Sequence, residues 1–298
     1  MKIVQRSLSY ILVLLAAILW GTVGTTQTYL TNGIQPITIA MTRSLLGGGI
    51  LLILAIIMKK INFKKWSWKQ TFFAALAMAL FQPLFFTSVN LTGVAVGTVV
   101  TIGSSPIFAG LIEWLFFKKN PGRTWLLATV LSIIGCTLLF TASGETIIVP
   151  SGIIFALFAG FMFASYTNVS KVLIAKEESL PAVAMTFTIC GLILLPISLI
   201  LGIEWIGQSS NWLPIMTMAF LGTSLAYILF LNGLQKISSS AAVTLSLGEP
   251  LTAALLGVFL VGETLSSLAW LGVAMLLGGI LVVTFKRKNN PIDKKVIS

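Results

Sequence analysis

Two charged residues lie inside long apolar runs of this sequence, where each could do chemistry. Glu249 lies near the middle of SSSAAVTLSLGEPLTAALLGVFL (238–260), with Pro250 next to it, and Arg43 lies in PITIAMTRSLLGGGILLILAIIM (36–58). A carboxylate inside a bilayer costs roughly 2.5–3.5 kcal/mol. Pro250 cannot donate an i→i−4 hydrogen bond, so we expect a helix kink there. Glu249 is either a functional group, which carries a coupled proton or senses a substrate amine, or a structural group that is paired or is protonated and hydrogen-bonded.

The two charges are expected at a similar depth in the membrane. Arg43 lies seven residues beyond Pro36, which is about 10 Å from one face at 1.5 Å per residue. Glu249 is about 16 Å from the other end of its helix, which leaves about 14 Å to the same face in a core of about 30 Å. An unpaired buried charge is far costlier than a pair. We therefore expect Arg43 and Glu249 to support each other, with separate backbone or hydroxyl partners as the alternative.

The stretch around Glu249 has a second copy earlier in the chain. Residues 93–117 read GVAVGTVVTIGSSPIFAGLIEWLFF, and matching Pro106 to Pro250 gives an offset of about 144 residues, close to half the chain. Ser105 then falls on Glu249, so the charge is present in one copy only. The match indicates an internal repeat, with a helix kink expected at each proline.

The composition defines the class of protein. Of the 298 residues 57% are hydrophobic and 9% are charged, whereas a soluble domain carries about 25% charged residues. We therefore predict an all-α integral membrane protein. The net charge of +11 does not indicate nucleic-acid binding, because the basic residues lie in the connections between spans. The chain has no His, and Cys136 and Cys190 lie in apolar runs, so no metal or other cofactor is predicted.

Ten runs are long enough to cross a bilayer, for which a helix needs about 20 apolar residues. The first run follows Lys2 and Arg6, as a signal peptide would, but it is too long for one and no small-residue cleavage site ends it. We therefore count it as a span. The approximate limits of the ten are 8–30, 36–58, 69–89, 93–117, 122–140, 151–171, 181–203, 211–234, 238–260 and 267–285.

The basic residues fall on one side of the predicted bundle. With the connections assigned to alternate sides, every one of the 19 Lys and Arg residues except Arg43 lies on the side of the N-terminus, and Glu145, Glu204 and Glu263 lie on the other. The positive-inside rule then places both termini of this multi-pass cell-membrane protein in the cytoplasm. Five spans per half is an odd number, so the second half enters from the opposite face. Such inverted repeats are typical of secondary transporters, which bind substrate between the repeats.

Polar and aromatic residues recur inside several spans, although helices that face only lipid do not need them. A single one is explained by a helix–helix hydrogen bond of about 0.6 kcal/mol. Together they predict a substrate cavity with few charges, which suits small zwitterionic or amphipathic solutes. Phosphorylated solutes would call for several Arg or Lys residues. The candidate lining residues are Trp20, Thr22, Gln27, Gln82, Ser105, Tyr166, Asn168, Tyr227 and Asn232.

Other classes of function find less support. Glu113 and Lys171 lie near the ends of their spans and are expected to snorkel to the headgroups. Glu113 and Glu249 are the only acids within spans and are predicted at different depths, so a membrane-embedded enzyme would lack a catalytic pair. A channel would need a filter or a ring of charges, and neither is visible in the sequence.

Several motifs of the chain resemble those of the EamA family of ten-helix permeases, in the drug/metabolite transporter superfamily. They are LWG (19–21), Arg43, GTSLAYILFLNGL (222–234) and LGEPLTAALLGVFLVGETL (247–265), followed by Gly272 and Gly279. The resemblance covers two EamA repeats, residues 8–140 and 151–285, and leaves a basic cytoplasmic tail at 286–298. It implies two inverted five-helix repeats around a central cavity, lined by the first, third, fourth, sixth, eighth and ninth helices.

The same resemblance implies alternating-access export of amino acids or related small metabolites, with protons as the usual coupling ion. A multidrug or lipid-linked substrate exporter is the alternative, and an enzyme or a channel is a distant one. The first repeat departs from the family pattern, because Lys118 and Lys119 stand where a Gly-Glu pair often follows the fourth helix. Gly262 and Glu263 keep that pair in the second repeat, so we expect it to have a structural role at a helix end.

Overall fold

The computed structural model describes residues 2–27, 29–31, 33–141, 149–261 and 264–285. These residues form helices and short connections, and none of them is in a strand. The predicted tail at 286–298, the pair Gly262 and Glu263, and most of the connection between the halves lie outside the described residues. The all-helical fold predicted from the composition is confirmed for the described part of the chain.

Ten helical segments follow one another. Large apolar side chains remain exposed along them, as on a lipid-facing surface. The segments are α1 (Lys2–Gln27), α2 (Pro36–Ile57), α3 (Trp68–Gly93), α4 (Val96–Phe117), α5 (Arg123–Thr141), α6 (Pro150–Leu173), α7 (Ser179–Leu201), α8 (Ser209–Leu234), α9 (Ser239–Phe259) and α10 (Ser267–Thr284).

Nine of these segments are long and apolar enough to cross a membrane within the described residues, and α5 contributes a shorter apolar helix, Arg123–Leu139. The chain is therefore a multi-pass membrane protein. The count of ten crossings and the opposite orientation of the halves stay predictions.

Local sequence explains where several helices begin. Pro36 and Pro150 occupy the first turns of α2 and α6, where a missing N–H costs nothing. Ser238 and Ser266 precede α9 and α10, and their hydroxyls accept hydrogen bonds from Ala241 N and Ala269 N. A serine in this position satisfies one of the free backbone donors of a helix start.

The backbone of the α3–α4 segment departs from helical geometry at Gly93, with φ 81° and ψ 162°. Only glycine adopts such a φ without strain. Within the described residues of this segment, Gly93 is the residue with non-helical φ and ψ, and the kink expected at Pro106 stays a prediction. The hydroxyls of Ser104 and Ser105 donate to Thr101 O in the turn before the proline, which supports the backbone locally.

The helices of the two halves pack in exchanged pairs. Contacts join α2 with α7 and α5 with α10; α1 packs on α8 and α9, and α6 packs on the α3–α4 segment. Glycines allow the equivalent close approaches. A Cβ at Gly21 of α1 would lie 2.6 Å from Cβ of Thr252 in α9, and one at Gly160 of α6 would lie 2.7 Å from Thr101 O in α4. Each pairing thus has a counterpart in which the halves exchange roles.

Polar contacts group the connections at the two ends of the bundle. At one end, Lys60 Nζ lies 2.6 Å from Glu178 Oε2, and Ser67 N donates to Glu177 Oε1. We call this the basic end, formed by residues 58–67, 118–122, 174–178 and 235–238. At the other, the opposite end, Thr31 N donates to Asn211 Oδ1 across 3.0 Å. These contacts join two pairs of connections that the alternating assignment places at the same end, and the assignment of the whole chain stays a prediction.

Candidate functional site

A cavity of about 330 Å³ lies between the two halves. Helices α1 to α4, α6, α8 and α9 supply its lining. Gln27, the last residue of α1, and Pro36, the first of α2, both line it. The cavity therefore extends to the opposite end of the bundle.

One wall of the cavity is aromatic. The indole of Trp20 has its ring centroid 4.8 Å from that of Tyr227 and 6.1 Å from that of Phe163, and Phe81 lies 5.7 Å from Phe163. These four rings come from α1, α8, α6 and α3, and all line the cavity. Contacts among four helices fix the ring positions, so they form a rigid surface for the apolar part of a solute.

Arg43 of α2 and Glu249 of α9 both line the cavity. Within the described part of the chain, no nitrogen–oxygen contact of 4.0 Å or less joins them. The direct ion pair considered from the sequence is therefore not formed in this structure. The two charges come from helices with different neighbours, since α2 packs on α7 and α8 whereas α9 packs on α1. Both residues line the cavity and are partly exposed.

A break in α9 positions Glu249. The helical segments Ser239–Leu245 and Gly248–Leu256 are separated at Ser246 and Leu247. Ser246 Oγ donates to Val243 O across 2.7 Å, and the backbone N–H of Glu249 donates to Ser246 O across 2.9 Å. The break comes within one turn of Pro250, where a kink was expected.

A close contact with α1 fixes the backbone of the same turn. A Cβ at Gly21 would lie 2.8 Å from Glu249 O, so only glycine lets α1 approach so near. The LWG motif therefore serves two purposes, because it places the Trp20 indole on the cavity wall and admits the backbone of α9 beside it.

Helix α8 contains a π-helical stretch, Met218–Leu225. Thr223 Oγ1 donates to Met218 O, and Ser224 Oγ donates to Gly47 O of α2 across 3.0 Å. Met218 and Tyr227, near the two ends of the stretch, both line the cavity. Such bulges are frequent at functional sites.

Two fully buried polar atoms of lining residues have no hydrogen-bond partner among the described residues. They are Trp20 Nε1 and Thr101 Oγ1. A buried polar group without a partner costs about 1–3 kcal/mol. Both atoms are shielded in this conformation, so a solute could bond to them only after the side chains rearrange.

The structure brings most of the predicted site residues to this cavity. Trp20, Gln27, Arg43, Gln82, Ser105, Tyr227, Glu249 and Pro250 line it. Ser105 and Glu249, matched by the internal repeat, thus face the same space from α4 and α9.

Four of the predicted lining residues are not in the lining: Thr22, Tyr166, Asn168 and Asn232. The hydroxyl of Thr22 donates to Leu19 O, and the amide of Asn168 donates to Ala164 O. Tyr166 is 1% exposed, behind Tyr227, with ring centroids 5.7 Å apart. For Thr22 and Asn168 the ordinary explanation, a bond to nearby backbone, holds.

Sequence reasoning missed Thr98, Thr101, Phe163 and Ser246, which also line the cavity. Helical spacing was the available signal for two of them. Thr101 lies one turn before Ser105, and Ser246 lies three residues before Glu249, so each shares a face with a predicted residue. Phe163 carried no signal, because a phenylalanine in a span is equally expected to face lipid.

The snorkelling predicted for Glu113 is wrong. Its side chain is 3% exposed and does not snorkel. The carboxylate accepts hydrogen bonds from Ser239 N (2.8 Å), Ser240 N (3.1 Å) and Ser240 Oγ (2.6 Å) at the start of α9. Lys171, expected to behave in the same way, donates through Nζ to Ile237 O. Neighbouring helix ends supply partners closer than the headgroups.

Membrane-length helices around an interior cavity that reaches one end of the bundle are the arrangement expected of a membrane transporter. The model of the EamA-like transporter family matches residues 7–141 and 150–285. The chain belongs to this family, and the two matched segments correspond to the two repeats inferred from the sequence.

Curated relatives agree with this assignment. The chain is 44% identical over 272 residues to "Uncharacterized transporter YwfM" of Bacillus subtilis (strain 168), covering 91% of this chain and 92% of that protein. It is 29% identical over 283 residues to "Uncharacterized inner membrane transporter YicL" of Salmonella typhimurium, with 91% and 93% covered. It is 27% identical to "Protein PecM" of Dickeya dadantii, with 90% and 89% covered.

A solved structure, described as "Crystal structure of protein", superposes with a TM-score of 0.82 at 16% sequence identity. The match covers 97% of this chain and 99% of that one. At this identity the likeness concerns the fold alone.

Proposed function

We propose that this protein is a secondary active transporter that exports a small zwitterionic metabolite, an amino acid or a close relative, by alternating access. The observation that carries the proposal is that Arg43 of α2 and Glu249 of α9 line one cavity without an ion pair between them. A guanidinium is suited to bind a carboxylate by paired hydrogen bonds, and a carboxylate is suited to bind an ammonium group. A zwitterion would satisfy both at once.

The size and lining of the cavity support a small solute. Its volume of about 330 Å³ is at the low end of ligand pockets, about 300–1,000 Å³. Among the described residues of the lining, Arg43 is the only basic one, which makes a phosphorylated solute a poor fit. The ring surface formed by Trp20 and Tyr227 suits an apolar side chain on the zwitterion.

The exchanged packing of the halves supports alternating access. A pairing in which α1 meets α9 and α6 meets α4 permits one half to rock against the other around a fixed site. The cavity now extends to the opposite end, and the same helices would line an exit toward the basic end.

Glu249 is the candidate carrier of a coupled proton, because it is the acid in the lining.

A multidrug exporter is the second candidate, favoured by the aromatic wall. A lipophilic cation would bind between Glu249 and the rings of Trp20 and Tyr227, through charge and cation–π attraction. Such a solute has no carboxylate, so Arg43 would be dispensable or repulsive. The role of Arg43 therefore separates the two candidates.

Counterflow in liposomes tests the proposal. Liposomes that contain the purified protein are loaded with one unlabelled solute at a time. Uptake of the same solute in labelled form is then followed with and without a pH gradient. The panel includes amino acids, their amides, their N-acyl forms and lipophilic cations. We expect saturable exchange of at least one amino acid but not of its amide or N-acyl form. Exchange of lipophilic cations alone would replace the proposal with the multidrug alternative.

A further inference from the structure

The carboxylate of Glu113 joins the two halves of the chain at the basic end. Glu113 belongs to α4, and all three of its donors belong to the start of α9: Ser239 N, Ser240 N and Ser240 Oγ. Both serines are fully buried. The first N–H groups of a helix have no partner inside their own helix. Glu113 therefore supplies from the first half what the start of α9 lacks.

The contact lies on the path from the cavity to the basic end. Phe163 lines the cavity and also packs against a buried cluster formed by Ala109, Ala164 and Val243. Ala109 lies one turn before Glu113 in α4, and Val243 lies one turn after Ser239 in α9. Two layers, the apolar cluster and the Glu113 contact, thus separate the cavity from the basic end.

The chemistry of the contact suits a closure that opens and closes. A buried carboxylate is stable only while its donors stay in place. When the helix ends part, water can take over the bonds of both sides, so opening leaves no polar group without a partner. Purely apolar packing would instead expose hydrophobic surface to water.

The break in α9 couples this contact to the candidate site. Ser239 and Ser240 lie in the segment before the break at Ser246 and Leu247, and Glu249 lies just after it. Movement of the first segment relative to the second can therefore separate the ends of α4 and α9 while Glu249 stays in the lining.

We propose that Glu113 is the gate residue of the basic end. Its bonds to Ser239 and Ser240 hold that end closed while the cavity faces the opposite end, and they break when the cavity faces the basic end. This inference rests on the alternating-access cycle of the proposed function. Glu113 acts here on the conformation of the protein and does not touch the solute.

Cysteine accessibility tests the gate without any substrate. The parent protein has Cys136 and Cys190 replaced by Ala and carries a single reporter, either Val243→Cys in the closed layer or Ala253→Cys in the cavity lining. Protein in nanodiscs, where both ends are accessible, is treated with a hydrophilic maleimide. We expect Glu113→Gln to raise the labelling rate of the Val243→Cys reporter by about tenfold and to lower that of the Ala253→Cys reporter. Ser240→Ala, which removes one of the three donors, is expected to do the same to a smaller extent.

The opposite changes at the two reporters distinguish gating from loss of fold, because unfolding would expose both. Glu178→Gln is the matched control. It removes a carboxylate at the same end, but the pair that Glu178 forms with Lys60 is exposed and contributes little, so neither rate is expected to change.

If Glu113→Gln does not fold, Ser240→Ala alone decides. Unchanged labelling of the Val243→Cys reporter in every folded variant overturns the gate, even if transport is found. Reciprocal labelling without transport of any panel solute upholds the gate and overturns the proposed substrate class.

Discussion

The indole of Trp20 lies against the ring of Tyr227 with the centroids 4.8 Å apart and the planes at 55°. This contact joins α1 to α8 across the halves and forms part of the cavity wall. Phe163 and Phe230 complete the surroundings of the indole. Trp20 is thus both a packing residue and a candidate contact for the solute, and substitutions can separate the two roles.

Trp20→Ala is expected to lower the stability of the protein in detergent by about 3 kcal/mol or more, because it leaves a cavity among three rings. Trp20→Phe keeps a ring there and removes Nε1–H, which has no partner among the described residues. Its melting temperature should stay near that of the wild type while the KM for the exported solute rises. A wild-type KM for Trp20→Phe would show that the indole N–H does not bind the solute.

Arg43 and Glu249 are expected to define which charges a solute must carry. Arg43→Gln should weaken exchange of the zwitterion and reduce its preference over the corresponding amide. Glu249→Gln should reduce the preference over the N-acyl form, since each variant removes the partner of one solute charge. Counterflow competition measures both preferences. Lys236→Gln and Glu204→Gln, which make the same changes of charge at exposed positions outside the lining, serve as controls and should leave both preferences unchanged.

A double-mutant cycle tests how the two charges support each other. Arg43→Ala and Glu249→Ala should each reduce transport or folded protein, and the double variant should be less damaged than the sum. Since no ion pair joins the two charges, the coupling should be larger in solute binding than in the melting temperature of the solute-free protein. Strict additivity in both measurements would show that the charges act independently.

The sequence identified residues whose chemistry is unusual for a membrane span. Arg43 and Glu249 are costly in lipid, and Ser105 was found through its repeat partner; all three line the cavity. Phe163 and Thr101 line it too, but their types are ordinary in spans and do not reveal which way they face. A single sequence shows how costly a residue is to bury in the membrane, but it does not show which helix the side chain faces.

Glu113 shows a second limit of prediction from the sequence, because its partners lie on another helix. Its place near the end of a span predicted snorkelling, because distance along one helix was the only measure of depth. The partners of Glu113 are backbone donors of α9, and every residue has such a donor except proline. Only the packing of α4 against α9 shows that these donors are within reach.

The orientation of the protein stays a prediction and can be tested directly. In a background with Cys136 and Cys190 replaced, single cysteines at Gln208 and Thr264 should react with an impermeant maleimide added to intact cells. Cysteines at Asn62 and Asn120, in the connections of the basic end, should react only after the membrane is opened. Labelling of the Asn62 position in intact cells would reverse the expected topology.

The last prediction concerns coupling to protons. Glu249 is the acid in the cavity lining, so it can exchange a proton with whichever side the cavity faces. Glu249→Gln keeps the size of the side chain and much of its hydrogen bonding but cannot titrate. We expect this variant to remain folded and to exchange solute across liposome membranes at zero gradient, while accumulation driven by a pH gradient is lost. Glu204→Gln, which changes an exposed acid outside the lining, should accumulate solute as the wild type does. If Glu249→Gln also accumulates solute to the wild-type level under the same gradient, the coupled proton does not bind at Glu249, and the carboxylate serves the recognition of the solute alone.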